Sequence, residues 1–173
     1  MMEKVLEALR AGKLVIYPTD TIYGLGADAT NSVAVDLVYR VKQRPRDQPI
    51  SILVSDFDML YRYAKASQAQ KKVLEEQLPG PYTFILEPRQ KMPVSDANVG
   101  FRIPRHWCTK IAKELGKPIT TTSANIHGRE TPQTITELRK TFGDSVEVYI
   151  DGGRLSGAPS TVIDLTTSKT VRI

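Results

Sequence analysis

The sequence is poor in the side chains that most often hold metals. It contains one cysteine, Cys108, and two histidines, His106 and His127, in 173 residues. A single thiol excludes a disulfide framework and a CxxC metal pair, and it suits a reducing compartment. The three residues are too few and too widely spaced for a dense ligand cluster, so we predict no metal site.

Long apolar runs are missing as well. Residues 1–18 mix acidic and basic side chains with the short apolar run LVIY, so we predict no signal peptide. No stretch approaches the ~18 apolar residues of a membrane-spanning helix. We therefore expect a cytoplasmic protein without a membrane partner.

Two phosphate-binding motifs are absent from the sequence. It contains neither GxxxxGK[ST] nor GxGxxG, which excludes a P-loop and the dinucleotide fingerprint. No catalytic triad is evident. The remaining polar residues best match a reaction at a phosphate group, in which side chains position the substrates and stabilise negative charge.

The charge balance is mildly basic. Lysine and arginine number 24 against 19 acidic residues, which gives a formal net charge of +5. Such a balance favours anionic partners, nucleotides or RNA, but a solvated basic surface without such a role explains it equally well. The length and the 40% hydrophobic content fit one globular domain over residues 1–173.

Apolar strands that alternate with amphipathic helices predict an α/β fold. We predict helices over 3–10, 33–42, 57–63, 68–78, 111–115 and a segment ending near Gly143, and strands over 14–17, 49–54, 82–86, 99–103, 118–120, 146–150, 161–165 and 170–173. Several late strands are joined by loops too short for a helical crossover. We therefore predict a twisted mixed sheet, parallel and antiparallel, flanked by helices. The polar segment 87–97 is the best candidate for a mobile loop.

Residues 13–54 combine features of an anion site. A predicted strand leads into a polar turn that contains Gly24 and Gly26, where backbone can approach a ligand without a Cβ in the way. After the next helix come Lys42 and Arg44. Positive charge at a helix C-terminus also relieves the helix dipole, and this structural role explains the pair as well as a functional one.

The sequence TTSAN at 121–125 directly follows a predicted strand. Such side chains often cap a turn, but four hydroxyl or amide groups exceed what one cap requires. The surplus suits the sugar and phosphates of a nucleotide, and Arg102 adds a planar donor fork for a carboxylate or phosphate. We predict a cationic central hollow where Arg44, Arg102 and Ser123 meet, and we expect Lys42 to face solvent there.

Six separated segments carry a family resemblance. PTDTIYGLG, KQRP, PGPYTFIL, GFRIP, TTSAN and STVID together resemble the YrdC/TsaC family of threonylcarbamoyl-AMP synthases. The resemblance implies a YrdC-like fold and condensation of L-threonine, bicarbonate or CO2, and ATP with its Mg2+ into threonylcarbamoyl-AMP and pyrophosphate. It also implies a downstream tRNA threonylcarbamoyl transferase complex, which makes N6-threonylcarbamoyladenosine (t6A).

The resemblance also implies roles for individual residues. The family's KxR signature falls on Lys42 and Arg44, which would be catalytic, and its SxN signature falls on Ser123 and Asn125. The implied ATP site comprises Arg44, Asn98, Ser123, Asn125, Thr131 and Arg172, and the implied threonine site comprises Thr21, Arg102, Thr121 and Ser160.

The sequence departs from the family pattern at several positions. Asp20 stands where the family commonly has glutamate, and its role is expected to be turn formation. Gln48 and Leu53 stand where longer, two-domain members often have asparagine and histidine. The chain ends before the second domain of those members, so it resembles the short, single-domain form.

Two other functions remain open. The first is an RNA-binding maturation factor of the same fold, which would hold double-stranded RNA, tRNA or rRNA through its phosphates. The second is a YciO-like paralogue without synthase activity. The KxR and SxN positions are less well kept in that branch, whereas both are intact here, so the synthase is the first hypothesis.

Overall fold

The computed structural model describes residues 1–167 and 169–171. The α-helices are α1 (Met2–Arg10), α2 (Ser32–Lys42), α3 (Phe57–Tyr63), α4 (Gln68–Gln77), α5 (Thr109–Leu115) and α6 (Ile135–Phe142), with a 3-10 turn at Gly143–Ser145. The strands are β1 (Val15–Tyr17), β2 (Gly24–Gly26), β3 (Ile52–Leu53), β4 (Tyr82–Leu86), β5 (Val99–Arg102), β6 (Ile119–Thr120), β7 (Thr122–Ser123), β8 (Val148–Tyr149), β9 (Thr161–Asp164) and β10 (Lys169–Val171). All six predicted helices are confirmed, and β2 and β7 are strands that the sequence analysis did not predict.

The strands form two sheets, ordered β7-β2-β1-β8 and β10-β9-β4-β5-β3-β6. Strand pairs β1–β8, β3–β5 and β4–β9 are parallel, whereas β1–β2, β2–β7, β4–β5, β3–β6 and β9–β10 are antiparallel. The predicted mixture of parallel and antiparallel pairs is confirmed, although it is divided between two sheets. The chain crosses from one sheet to the other at Thr121, between β6 and β7.

Local sequence explains how α2 presents its last residue. Asn31 caps the start of the helix, because its side-chain oxygen accepts hydrogen bonds from the backbone N–H groups of Val33 and Ala34 at 3.0 and 3.2 Å. Val38 lies on the buried face. Because Lys42 follows four residues later, it lies on that same face and is turned into the protein.

The two glycines of β2 serve the packing of Tyr17. A Cβ on Gly26 would lie 2.7 Å from Cε1 of the Tyr17 ring, and a Cβ on Gly24 would lie 3.0 Å from Cζ. The predicted turn at these glycines is therefore wrong. They form a strand whose missing side chains leave room for the ring, and the Tyr17 hydroxyl then donates to the Thr120 carbonyl at 2.9 Å.

A continuous hydrophobic cluster includes residues of α1, α2, α5 and both sheets. The helices packed on the sheets therefore bury the same core that supports the strand ends. Within residues 1–167 and 169–171, none of the helices has the length and hydropathy that a membrane crossing requires.

Candidate functional site

A pocket between the two sheets collects residues from distant parts of the chain. Five of the eleven predicted site residues line it, namely Arg44, Arg102, Thr121, Ser123 and Ser160. The pocket is open to solvent, and the space between its lining residues is about 670 Å³ when the solvent-filled part is included. The predicted meeting of Arg44, Arg102 and Ser123 is confirmed.

Arg102 is the buried cation of the pocket. Its side chain is only 6% exposed, and Nη2 donates to Asp20 Oδ1 at 3.1 Å and to Thr21 Oγ1 at 3.3 Å. Burial lowers the pKa of Arg102, and the neighbouring Asp20 carboxylate opposes that shift. The guanidinium is thus held by two residues of the loop after β1.

Two polar atoms of the pocket are buried without a partner. Among the described residues, Arg102 Nε and Thr121 Oγ1 are the buried side-chain atoms that make no hydrogen bond. An unpaired buried polar group costs roughly 1–3 kcal/mol. Both atoms are also shielded from solvent, so their unmet hydrogen-bonding capacity lies in the wall of the pocket, beneath its surface.

Lys42 is buried, with 1% of its surface exposed, so the expectation that it faces solvent is wrong. Its ammonium group donates to the Ser123 carbonyl at 2.5 Å and to the backbone and side-chain oxygens of Asn125 at 2.9 and 2.8 Å. These contacts occupy the three donors of the ammonium. Burial, and secondarily the charge of Arg44, lowers the pKa of Lys42 to about 7.

The 123–125 turn is bonded internally. The Ser123 hydroxyl donates to Asn125 Oδ1 at 2.7 Å, and Asn125 Nδ2 donates to the Arg129 carbonyl at 2.5 Å. The Ala124 N–H donates to the Tyr23 carbonyl at 2.9 Å. Part of the polarity of TTSAN is therefore used to build the turn that presents Ser123 to the pocket.

Arg44 follows directly after the end of α2. Gln43 ends that helix in the left-handed region at φ 52°, and Arg44 is half-buried. Its Nε donates to the Gln48 carbonyl at 3.1 Å, and its Nη2 donates to the Pro49 carbonyl at 3.0 Å. The guanidinium is thereby fixed at the pocket wall, where an anion would meet it.

The other predicted site residues occupy different places. Thr21 contacts Arg102, and Asn125 contacts Ser123, so both support the pocket from behind. Asn98 lies in a separate depression and donates to Thr166 Oγ1 at 3.3 Å. Thr131 lies in another depression, beside the start of α6. Arg172 lies outside the described residues, and the ATP contacts of these last three remain predictions.

The segment 87–97, proposed as a mobile loop, does not line the pocket. Its residues Met92 and Val94 are buried at 2% and 0% exposure. The Val94 carbonyl accepts a hydrogen bond from the Ile50 N–H at 3.0 Å. These contacts anchor the middle of the segment to the core.

The glycine-rich segment 151–160 contributes Pro159 and Ser160 to the pocket lining instead. It is anchored at Tyr23, whose hydroxyl accepts from the Gly152 N–H at 2.9 Å and donates to the Gly153 carbonyl at 2.7 Å. At its end, the Ser160 hydroxyl lies 2.8 Å from that of Thr83. This segment therefore closes one side of the pocket.

Sequence reasoning missed several lining residues, including Thr19, Tyr23, Ser51 and Thr83. Thr83 carried a usable signal, because it is the one hydroxyl among the inner residues of the apolar strand YTFIL and is 1% exposed. Tyr23 and Ser51 gave no comparable signal, since their place depends on strand pairing. In the described part of the chain, no group of three or more His, Cys, Asp or Glu side chains is placed to hold a metal ion.

Comparison with known proteins agrees with this geometry. The Sua5/YciO/YrdC family model, described as telomere recombination, matches residues 7–173. A Methanocaldococcus jannaschii protein, provisionally named threonylcarbamoyl-AMP synthase, is 40% identical over 99% of this chain and 85% of its own length. A Vibrio campbellii threonylcarbamoyl-AMP synthase is 33% identical over 98% of this chain and 97% of its own.

Two solved structures are similar in fold. Pyrococcus abyssi Sua5 complexed with L-threonine has a TM-score of 0.86 and 35% identity over 96% of this chain, which spans 52% of that protein. Escherichia coli YciO has a TM-score of 0.86 and 29% identity over 95% of this chain and 83% of its own. The fold thus accommodates both branches, and the chain belongs to the Sua5/YciO/YrdC family.

Proposed function

We propose that the protein is a threonylcarbamoyl-AMP synthase, a nucleotidyltransferase that uses L-threonine, bicarbonate or CO2, and ATP. The observation that carries the proposal is one pocket that joins a buried, partly unpaired Arg102 to Arg44 and Ser123. The names of full-length relatives and the threonine complex of P. abyssi Sua5 support it.

The amino acid would occupy the Arg102 end of the pocket. Arg102 Nε and Thr121 Oγ1 are the buried polar atoms without partners in the described chain. The Arg102 guanidinium, which lines the pocket, suits the threonine carboxylate, because it gives charge-assisted hydrogen bonds. Thr21 contacts Arg102 and would support it, and Ser160, which lines the same pocket, would contact the rest of the amino acid.

The nucleotide would occupy the Arg44 end. Arg44 and Ser123 both line the pocket, and a guanidinium that is already fixed needs little reorganisation to bind a phosphate. Lys42 would support this end through the Ser123–Asn125 turn. Asn98, Thr131 and Arg172 remain proposed contacts for more distant parts of ATP.

The chemistry follows from these charges. The threonine amine would add to CO2 and lose a proton to solvent, which gives a carbamate. A carbamate oxygen would then attack the α-phosphorus while pyrophosphate leaves, so a C–N bond and an O–P bond form and one P–O bond breaks. Arg44 would stabilise negative charge on the phosphates. Mg2+, bound mainly by phosphate oxygens, would neutralise the same charge.

The product would feed t6A formation in the cytoplasm. Threonylcarbamoyl-AMP is a mixed anhydride, so its acyl group is activated for transfer to an amine. We propose that a tRNA threonylcarbamoyl transferase complex is the downstream partner. Direct contact with tRNA is not needed for the synthase reaction itself.

The decisive experiment measures pyrophosphate release with ATP, bicarbonate and each of the twenty amino acids in turn, with mass spectrometry of the nucleotide product. Release that depends on threonine and bicarbonate is expected. Absence of threonine-dependent release, together with salt-sensitive binding of double-stranded RNA, would support the RNA-binding alternative instead. If the protein shows neither threonine-dependent release of pyrophosphate nor binding of RNA, the result favours a YciO-like protein.

A further inference from the structure

Asp20 connects the loop after β1 to the end of β5. Its side chain is 13% exposed, and Oδ1 lies 3.1 Å from Arg102 Nη2. Its other oxygen, Oδ2, accepts a hydrogen bond from the Arg105 N–H at 3.0 Å. Both carboxylate oxygens are therefore used, which exceeds the turn-forming role expected from the sequence.

The loop itself holds Asp20 in place. The Thr19 hydroxyl accepts from the Thr21 N–H at 3.1 Å and donates to the Ile22 carbonyl at 2.7 Å. Thr19 is 3% exposed and Thr21 is 7% exposed. Asp20 therefore extends from a turn that is buried and hydrogen-bonded on both sides, and its carboxylate has a fixed position.

We propose that Asp20 is a positioning residue for threonine binding, which fixes the Arg102 guanidinium through Nη2 so that the guanidinium keeps one orientation toward the substrate carboxylate. The inference rests on the proposed function. Asp20 and Thr21 both engage the same nitrogen of Arg102, whereas Nε makes no hydrogen bond within the described residues. A guanidinium presents its donors in a rigid fork, so fixing one nitrogen fixes the direction of the others.

The pair also explains how Arg102 remains charged. A buried guanidinium without a counter-charge is strongly destabilising, and Asp20 supplies that charge 3.1 Å from Nη2. Asp20 should therefore affect threonine affinity more than ATP affinity, because its carboxylate contacts Arg102 and the Arg105 N–H and, among the described residues, neither Arg44 nor Ser123.

The test compares Asp20→Asn, Asp20→Ala and Asp20→Glu by pyrophosphate release at varied threonine and varied ATP. Asp28→Asn is the matched control, because Asp28 is also buried and ion-paired, with Oδ2 2.8 Å from Lys117 Nζ, but does not line the pocket. The Asn and Ala variants should raise the KM for threonine about tenfold or more and leave the KM for ATP within about twofold. Asp20→Glu restores the charge and should recover most of the affinity, whereas Asp28→Asn should lower the Tm with both KM values unchanged.

A second readout needs no substrate. In the free protein, the 15N–1H signal of Arg102 Nε, assigned by its loss in Arg102→Lys, should shift in Asp20→Asn and Asp20→Ala and stay in place in Asp28→Asn. An unmoved Arg102 signal, or KM values for threonine and ATP that rise together, would overturn the positioning role. If the wild-type protein shows no threonine-dependent release, the proposed function fails, and the Arg102 signal alone decides the role of Asp20.

Discussion

The Lys42 ammonium donates hydrogen bonds to both carbonyl oxygens of Asn125, at 2.9 Å to the backbone and 2.8 Å to the side chain. The contact joins the end of α2 to the turn that follows β7. The KxR and SxN signatures are far apart in the sequence, yet they form one structural unit. Arg44 and Ser123 face the pocket because Lys42 and Asn125 connect the segments behind them.

Replacing Lys42 with methionine should impair both stability and activity. The apolar stem is largely retained, but three buried acceptors lose their donor, which should lower the free energy of unfolding by about 1–3 kcal/mol. Pyrophosphate release should fall more than tenfold, since the 123–125 turn is no longer held. Urea denaturation followed by circular dichroism measures the first effect. Lys110→Met, which changes an exposed lysine of α5, is the control, and wild-type stability of Lys42→Met would contradict the structural role.

The lowered pKa of Lys42 should make stability depend on pH. Burial, with a smaller effect from Arg44, lowers this pKa from 10.5 to about 7. Between these values the unfolded chain binds more protons at this residue than the folded chain does, so the contribution of Lys42 to stability rises with pH. Below about pH 7 both states are protonated and the contribution is flat.

The matching measurement is the difference in unfolding free energy between wild type and Lys42→Met at pH 6, 7, 8 and 9. We expect no change in this difference below pH 7 and a rise above it, with a limiting slope of about 1.4 kcal/mol per pH unit. A difference that stays flat from pH 7 to pH 9 would show that Lys42 keeps an ordinary pKa in the folded protein.

The helices were predictable because their signals are local. Thr134 and Glu137 have capping-box spacing, and in the structure the Thr134 hydroxyl accepts from the Glu137 N–H at 3.3 Å while the Glu137 carboxylate accepts from the Thr134 N–H at 3.1 Å. Strand β2 was missed because glycine is depleted in strands. Only the ring of Tyr17, on the paired strand, explains why glycine is required there.

The sequence predicted which residues meet at the centre of the site, but it did not predict the burial and contacts of the residues around them. An arginine after a helix, an arginine at a strand end and hydroxyl residues after another strand indicated where Arg44, Arg102 and Ser123 meet. The burial of Lys42 was missed because a lysine is rarely fully buried, although its spacing of four from Val38 placed it on the apolar face. The contact between Asp20 and Arg102 depends on tertiary packing, and no local pattern predicts it.

Arg44 and Arg46 should differ sharply in their effect on catalysis. Arg44 lines the pocket, whereas the exposed Arg46 pairs with Asp36 and lies over the Tyr39 ring, 4.5 Å from its centre. Arg44→Ala should lower the rate of pyrophosphate release about a hundredfold, the scale seen when one transition-state donor is removed. Arg46→Ala should stay within about twofold, because exposed ion pairs contribute little.

The Arg44→Ala and Arg46→Ala variants are compared by their steady-state rates of pyrophosphate release at saturating threonine and varied ATP. Arg44→Lys adds a second step, since lysine keeps the charge but loses the planar fork that bonds to the Gln48 and Pro49 carbonyls. It should recover only part of the lost rate. Equal rates for Arg44→Ala and Arg46→Ala would remove Arg44 from the nucleotide site.

Replacing Gly157 with alanine tests whether the 151–160 segment shapes the threonine end of the pocket. A Cβ at this position would lie 2.5 Å from the Thr21 carbonyl oxygen and 3.2 Å from its carbon. Since those atoms are backbone of a buried turn, Gly157→Ala must displace the segment, and with it Ser160. We expect the KM for threonine to rise about fivefold or more, because small displacements of groups that position a substrate weaken its binding. The Tm should change little, because residues 156–159 are exposed.

The neighbouring Ser156→Ala is the matched control and should bind threonine normally. Equal KM values for the two variants would exclude the segment from the substrate pocket.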